Sequence, residues 1–285
     1  MNTTEYLSKW AISYKDDIIN NIMPFWMKYG LDREHGGVYT CVNRDGSLMD
    51  TTKSVWFQGR FGFIAAYAYN NIEKNPQWLA ASKSCIDFIE AHCFDTDGHM
   101  FFEVTEDGKP LRKRRYVFSE GFAAIAMAEY ALATGEKEYA KKALDIFKRT
   151  LHFLNTPGFL EPKYLPTLPS RGHSITMILI NTASRIRMVI DDPSLTEQID
   201  TSIAALRKYF IHPEFKALLE MVGPDGEFID TCNGRVINPG HCIETAWFIM
   251  EEAKYRNWDK DLLQLALQIL DWSWEWGWDK EFGGI

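Results

Sequence analysis

Apolar residues along this chain recur mainly at intervals of three and four, which is the period of an amphipathic helix. The pattern predicts nine helices, and these alternate between polar-faced and largely apolar segments. The predicted helices are residues 3–29, 55–72, 77–93, 117–135, 137–154, 173–190, 194–210, 238–256 and 259–276. Helices that are apolar all round must be enclosed by protein, whereas helices with one polar face can lie against water. The alternation therefore predicts inner and outer helices.

A second pattern recurs between the helices. A phrase with Asp, then Gly a few residues later, then aromatic or β-branched residues occurs at 26–48, 89–111 and 272–285. The first two copies continue to a further turn, at Asp45-Gly46 and at Asp107-Gly108. Asp-Gly between short alternating segments is typical of a β-hairpin. A doubly wound α/β fold is disfavoured, because no buried strand-like runs separate the helices.

The repeats predict an all-α fold, a toroid of helical hairpins with short β-hairpins in the connecting loops. We expect residues 1–285 to form a single domain of this kind. If six helical hairpins close the ring, nine helices leave it incomplete, and the last residues repeat the first half of the hairpin phrase. The natural protein is therefore expected to continue beyond Ile285, with an open helical array as the alternative.

The composition narrows the functional classes. Apolar residues make up 46% and charged residues 25% of the 285, as in water-soluble proteins. A net charge of −8 argues against nucleic-acid binding, since such proteins are usually basic. No apolar stretch approaches the ~18 residues that span a membrane, and the first residues lack a signal-peptide pattern. Five cysteines without a C-x-x-C pair predict reduced thiols in a cytoplasmic protein.

One basic run, Arg112–Arg115, interrupts this acidic chain. Adjacent charges of one sign usually lie on a solvated loop or strand edge. A local anion site is the alternative, although no Gly-rich phosphate-binding loop accompanies the run.

Five phrases of the chain resemble the N-acylglucosamine 2-epimerase family. They are FWMKYGLDREHGG at 25–37, DTTKSVWFQGR at 50–60, RRYVFSEGFAAIAMAEYALATGEKEY at 114–139, NPGHCIETAWF at 238–248 and WGWDKEFGGI at 276–285. They occur in the family's order and span the whole chain. The resemblance implies an (α/α)6 barrel with its active site at the mouth, of which this chain covers about nine of twelve helices.

The same resemblance implies an isomerase that interconverts N-acetylglucosamine and N-acetylmannosamine at C2. Relatives epimerise cellobiose or isomerise mannose, and these reactions are the alternatives within the family. No cofactor is expected to be required, although ATP modulates some relatives. The expected partner is a small sugar, with no nucleic acid and no membrane, and the family implies a homodimer.

Epimerisation at C2 requires a proton to leave a carbon next to a carbonyl and to return on the opposite face. Two acid/base groups with pKa values near neutrality are needed, and histidine suits this best. His241 follows the Asn-Pro-Gly turn at 238–240, which can begin a helix close to a ligand. The family match implies that His241 is one of two catalytic histidines, the other lying beyond Ile285 together with a carboxylate. A capping or packed histidine is the alternative.

Two charged residues are predicted to assist His241. Glu244 shares a helix face with His241, so it could orient the imidazole or bind a sugar hydroxyl. His-x-x-Glu is also a two-metal spacing, but no second such pair occurs, and no metal is expected. Arg60 is predicted to hold charge that develops on the carbonyl oxygen, with a buried ion pair as its alternative. The residues predicted to contact the sugar or support the site are Lys53, Trp56, Gln58, Glu120, Asn238 and Trp247.

Three further interpretations stay open. His173 begins an apolar helix and is another candidate site residue. A glycosidase would need two carboxylates across the scissile bond, for which Glu120 and Glu244 form the best pair. A sugar- or protein-binding member of the family without turnover is the remaining alternative.

Overall fold

The computed structural model of the protein describes residues 2–113, 116–163 and 165–285. The chain divides into two compact units. The first comprises Met1–Leu160 with Met188–Ile190, and the second comprises Glu161–Arg187 with Asp191–Ile285. The single barrel domain over 1–285 stays a prediction.

The first unit is built from helices joined by short hairpins. Its helices are α1 (Thr3–Asp17), which runs through a π-helical turn (Ile18–Ile22) into α2 (Met23–Tyr29), then α3 (Val55–Asn71), α4 (Pro76–His92), α5 (Phe118–Thr134) and α6 (Lys137–Asn155). Its strands are β1 (Cys41–Val42), β2 (Leu48–Asp50), β3 (Lys53–Ser54), β4 (Phe101–Val104) and β5 (Pro110–Lys113). Helix α3 packs against α4 and α5, and α5 packs against α6. Helix α5 is buried along most of its length, whereas α6 buries one face, as the alternation predicts.

The second unit repeats this construction. Its elements are β6 (Arg171–Gly172), α7 (His173–Arg187), α8 (Pro193–Ala205) with a π-helical turn (Leu206–Phe210), β7 (Ile211–His212), β8 (Ala217–Leu218), β9 (Met221–Val222), α9 (Pro239–Tyr255) and α10 (Lys260–Gly277). Helix α7 packs against α8 and α9, and α9 packs against α10. Strand β9 pairs with β6, which directly precedes α7, and strand β8 pairs with β7, which follows α8 and its π-helical turn. These two pairings hold the segment between α8 and α9 in place.

The predicted fold class is confirmed. If α1, the π-helical turn and α2 are counted as one continuous helix, the described residues form the nine predicted helices. Both Asp-Gly turns close the predicted hairpins, β1–β2 and β4–β5, with Gly46 at φ 86° and Gly108 at φ 87°. These positive φ values explain the glycines, because L side chains rarely adopt them. Among the described helices, none is both long and apolar enough to cross a membrane.

Gly59 allows α3 to approach α5 closely. A Cβ at this position would lie 2.6 Å from the carbonyl carbon and 2.7 Å from the Cβ of Phe122. We expect Gly59→Ala to force the two helices apart and to lower the free energy of unfolding by about 1–3 kcal/mol, measured by urea denaturation.

Gly62→Ala is the matched control, three residues along the same helix. Its Cβ would meet the Cβ atoms of Ala126 and Cys85 at 3.3 Å, a contact that small shifts can relieve. The ~1 kcal/mol gained by replacing a helical glycine with alanine partly offsets that contact. Equal losses of stability in the two variants would contradict the close-approach explanation.

Candidate active site

His241 is held at the start of α9 by a local capping turn. The side chain of Asn238 accepts a hydrogen bond from the backbone N–H of His241 at 3.3 Å. Pro239 occupies the first helical position, where its fixed φ suits the helix and its missing N–H is not needed. The His241 side chain is 35% exposed. Asn238, predicted to contact sugar, therefore supports the position of His241 through the helix cap.

Glu220 is the carboxylate that binds the His241 imidazole. Its Oε2 lies 2.9 Å from Nδ1 of His241. The residue lies between β8 and β9 in an apolar stretch, and its backbone C=O accepts from the N–H of His173 at 3.0 Å. The strand pairs Ile211↔Leu218 and Gly172↔Met221 fix this stretch on both sides. Glu220 was not predicted as a site residue. The sequence feature that could have indicated it is a single carboxylate within the otherwise apolar run ALLEMV at 217–222.

His173 completes a cluster of three residues. It is fully buried, and its Nδ1 lies 3.6 Å from Oε2 of Glu220. Its Nε2 lies 2.9 Å from the hydroxyl of Thr245, and that hydroxyl donates to the backbone C=O of His241 at 2.8 Å. Nδ1 of His173 has no hydrogen-bond partner among the described residues. We refer to His173, Glu220 and His241 as the histidine–glutamate cluster.

The electrostatics of the cluster fix the roles of its atoms. Burial opposes ionisation of Glu220, but its interactions with the imidazoles of His173 and His241 outweigh burial and lower the pKa of Glu220 to about 2. The ionised carboxylate can only accept, so Nδ1 of His241 donates to it. A neutral His241 then carries its lone pair on Nε2, the atom able to take a proton.

One member of the cluster, His173, and one neighbour, Cys242, are less reactive. Burial lowers the pKa of His173, which favours the neutral imidazole. Burial also raises the pKa of the Cys242 thiol to about 12, and its Sγ lies 3.4 Å from the backbone C=O of Leu218. A thiol that stays protonated at neutral pH is a poor nucleophile. Acid/base chemistry in this cluster therefore falls to His241.

The other predicted residues on α9 lie beyond the cluster's hydrogen bonds. Glu244 is half-buried, and Nδ1 of the His241 imidazole, which Glu244 could have oriented, is bound by Glu220. The reason is that β8 and β9 place a carboxylate beside Nδ1, which helix spacing alone does not show. Binding of a sugar hydroxyl by Glu244 stays a prediction. Trp247 is 44% exposed.

In the first unit, Arg60 is exposed on α3. Its guanidinium carbon lies 4.3 Å from the ring centroid of Phe122 and 5.9 Å from that of Phe57. Together with Trp26, Tyr39 and other largely apolar residues, Arg60 lines a cavity of about 230 Å³. Stacking of this kind fixes the plane of the guanidinium.

Trp56 lies on the same helix and is half-buried. Its ring meets those of Phe102 and Phe118 edge-on, with centroids 5.3 and 5.2 Å away. These contacts hold its ring in one orientation, and whether a sugar packs on it stays a prediction.

Lys53 has a structural environment rather than the predicted sugar-facing one. It is fully buried, and Nζ donates to Oδ2 of Asp32 at 2.7 Å and to the backbone C=O groups of Gly36 and Glu106 at 2.8 Å each. These three bonds use all three N–H donors of the ammonium. Lys53 joins two loops of the first unit and has no donor left for a sugar.

Gln58 and Glu120 are also engaged inside the first unit. Gln58 is fully buried and bonds both backbone groups of Val38, at 2.8 Å through Oε1 and 2.6 Å through Nε2. Glu120 is 1% exposed, and its Oε1 accepts from the N–H of Met100 at 2.7 Å and lies 2.5 Å from Nδ1 of His99. Most buried polar groups are paired, and these bonds place Gln58 and Glu120 at hairpin–helix joints of the first unit. Glu120 is thus poorly placed as a glycosidase carboxylate.

The basic run is paired where the structure describes it. Lys113 bonds Asp95 at 2.7 Å and Asp97 at 2.6 Å, and the guanidinium of Arg112 stacks on Phe102 at 4.7 Å. Residues 114 and 115 lie outside the described residues. The paired lysine favours the solvated-edge interpretation over an anion site.

The chain is similar in sequence to known 2-epimerases. The family model for N-acylglucosamine 2-epimerase (GlcNAc 2-epimerase) matches residues 37–285. The N-acylglucosamine 2-epimerase of Rattus norvegicus is 29% identical over 276 residues, covering 94% of this chain; the chain spans 65% of that relative's length.

Solved structures show the same fold. Cellobiose 2-epimerase from Bacillus thermoamylovorans superposes with a TM-score of 0.83 at 20% identity, covering 96% of this chain and 74% of that one. A D-mannose isomerase superposes with a TM-score of 0.76 at 19% identity, covering 96% and 73%. The fold is therefore of the predicted (α/α)6 class. With a family model that matches most of its length, the chain belongs to the N-acylglucosamine 2-epimerase family.

Proposed function

We propose that the protein is a sugar 2-epimerase that interconverts N-acetylglucosamine and N-acetylmannosamine. The observation that carries the proposal is the orientation of His241. An ionised carboxylate on Nδ1 holds the imidazole in the tautomer whose Nε2 can accept a proton, on a side chain that remains 35% exposed. A histidine oriented in this way is suited to general acid/base catalysis near neutral pH.

In the proposed reaction, Nε2 of His241 removes the C2 proton of the open-chain sugar. Glu220 stabilises the imidazolium that forms and prevents the ring from rotating. A hydrogen-bond donor or cation must stabilise the charge that develops on the carbonyl oxygen, which is the role that the sequence predicts for Arg60. Inversion is completed when a second acid/base group returns a proton to the opposite face of C2.

Family membership supports the N-acyl sugar as substrate, since the family model and the rat relative carry that name. The solved neighbours named for cellobiose and mannose favour a second candidate, epimerisation or isomerisation of an aldose without an acetamido group. We also propose that the protein acts in the cytoplasm as a homodimer and requires no cofactor. Modulation by ATP is a further proposal to be tested.

Proton exchange at C2 tests the proposal directly. We expect incubation with N-acetylmannosamine in D2O to replace the C2 proton by deuterium, followed by ¹H NMR; N-acetylglucosamine should form where the second acid/base group is also present. The physical reason is that a proton removed by His241 exchanges with solvent before a deuteron returns.

Parallel incubations with mannose and cellobiose identify the substrate class. Exchange with these sugars but not with N-acetylmannosamine would favour the second candidate. Saturable sugar binding without exchange at C2 of any of them would overturn the enzymatic proposal in favour of a binding protein.

A further inference from the structure

The histidine–glutamate cluster has the geometry of a metal-binding site. One ligand atom from each of His173, Glu220 and His241 lies within 4.8 Å of the other two. The two closest separations are 2.9 Å, between His241 Nδ1 and Glu220 Oε2, and 3.6 Å, between His173 Nδ1 and the same oxygen. A tetrahedral Zn²⁺ with bonds of about 2.0–2.1 Å holds its ligand atoms about 3.3–3.4 Å apart. The cluster needs only small shifts to reach that spacing.

The hydrogen bonds around His173 favour a cation between these groups. The single hydroxyl proton of Thr245 is donated to the C=O of His241, so Nε2 of His173 must be the donor to that hydroxyl oxygen. In the neutral imidazole this leaves a lone pair on Nδ1. That lone pair is fully buried, has no hydrogen-bond partner among the described residues, and points toward the Glu220 carboxylate. Two electron-rich groups facing each other repel, and a positive ion between them would relieve that repulsion.

The Thr245 hydroxyl also completes the outer sphere of such a site. Metal-binding histidines usually donate their second ring N–H to a polar group, which fixes the ring and the tautomer. His173 already does this through Nε2 and Thr245. Two imidazoles and one carboxylate suit borderline divalent ions such as Zn²⁺ and Co²⁺ rather than Ca²⁺ or Mg²⁺. Glu220 is 24% and His241 35% exposed, so water can reach a fourth position.

We propose that His173, Glu220 and His241 bind a divalent transition ion, and that this ion inhibits the protein. The ion displaces the proton from Nδ1 of His241, and the ring then carries its proton on Nε2, where it can no longer act as a base. The binding part of the proposal stands alone, whereas inhibition rests on the proposed epimerase function.

The test is titration of the chelator-treated protein with Co²⁺, followed by the visible d–d absorption of the bound ion, with Zn²⁺ as competitor. We expect one Co²⁺ per chain at this site, displaced by Zn²⁺. Glu220→Gln is expected to lose the signal, because a neutral amide is a poor ligand. Thr245→Val, which removes the outer-sphere contact but leaves all three ligand residues in place, is expected to weaken binding about 10- to 100-fold.

Glu214→Gln is the matched control. Glu214 also bonds a histidine, His212, at 3.0 Å in the same unit, but it is 58% exposed and pairs with that histidine alone. This variant should bind Co²⁺ like the wild type. Circular dichroism establishes that each variant is folded. Absence of Co²⁺ binding, or equal affinity in Glu220→Gln and Glu214→Gln, would overturn the metal site.

Inhibition is measured separately, by comparing the rate of C2 exchange with and without Zn²⁺. Addition of a chelator should restore the rate. Co²⁺ binding by a protein that, when metal-free, exchanges the C2 proton of no sugar would sustain the metal site and refute the epimerase. Exchange that is unaffected by saturating Zn²⁺ would overturn the inhibitory role while leaving the epimerase intact.

Discussion

His241→Asn should reduce C2 proton exchange on N-acetylmannosamine by roughly 10²–10⁴-fold, the range typical of a lost general base. The asparagine amide can still donate a hydrogen bond to Glu220, so the buried carboxylate keeps a partner and the fold is expected to survive. No atom of asparagine takes a proton at neutral pH. The measurement is the rate at which the C2 signal disappears in D2O.

His152→Asn provides the control for this prediction, because His152 is exposed on α6 of the first unit. Its exchange rate should equal that of the wild type, and both variants should unfold at temperatures near that of the wild type. If His241→Asn, correctly folded, retains the wild-type rate, His241 is not the base.

Asp32→Ala should lower the free energy of unfolding by about 3–5 kcal/mol, because it removes the counter-ion of a buried ammonium. The Asp32 and Lys53 side chains are 1% and 0% exposed, and their charged atoms lie 2.7 Å apart. Chemical denaturation with circular dichroism measures the loss. Asp32→Ala combined with Lys53→Met should recover part of it, since no unpaired charge then remains buried.

Asp87→Ala is the surface comparator. Asp87 pairs with Lys83 at 2.5 Å but is 56% exposed, so its removal should cost no more than about 1 kcal/mol. Similar losses for Asp32→Ala and Asp87→Ala would show that the buried pair contributes no more than an exposed one.

The same pair predicts a dependence on acid. Burial opposes ionisation of Asp32, but hydrogen bonds from Lys53 and from two backbone N–H groups outweigh it and lower the pKa of Asp32. The stabilisation is present above the pKa of the unfolded chain and is lost as pH falls through the lower folded pKa. Asp32→Ala should therefore lose less stability than the wild type on acidification.

The architecture could be predicted because it depends on local signals. A helical period and Asp-Gly turns are properties of neighbouring residues, and the helices and hairpins that they predict are present. His241 could be located for a similar reason, because Asn238 and Pro239 cap its helix from within the same turn.

The surroundings of the site were harder to predict, because they depend on contacts between distant residues. Glu220 reaches His173 and His241 only through strand pairs that no local pattern marks. Lys53 and Gln58 were predicted to contact the sugar or support the site because they lie within a family phrase, DTTKSVWFQGR at 50–60. A sequence motif does not show whether a polar side chain points into a cavity or into the protein, and both point into the protein.

The pairing of β6 with β9 has a consequence for folding order. It brings His173 beside Glu220 by closing a loop of 47 residues (220 − 173), whereas the cap of α9 and the helices themselves form from residues within a few positions of one another. Closing a long loop costs conformational entropy before any long-range contact compensates for it. Helix formation alone therefore does not assemble the histidine–glutamate cluster, and a partly folded chain can show its full helical content while lacking an oriented His241.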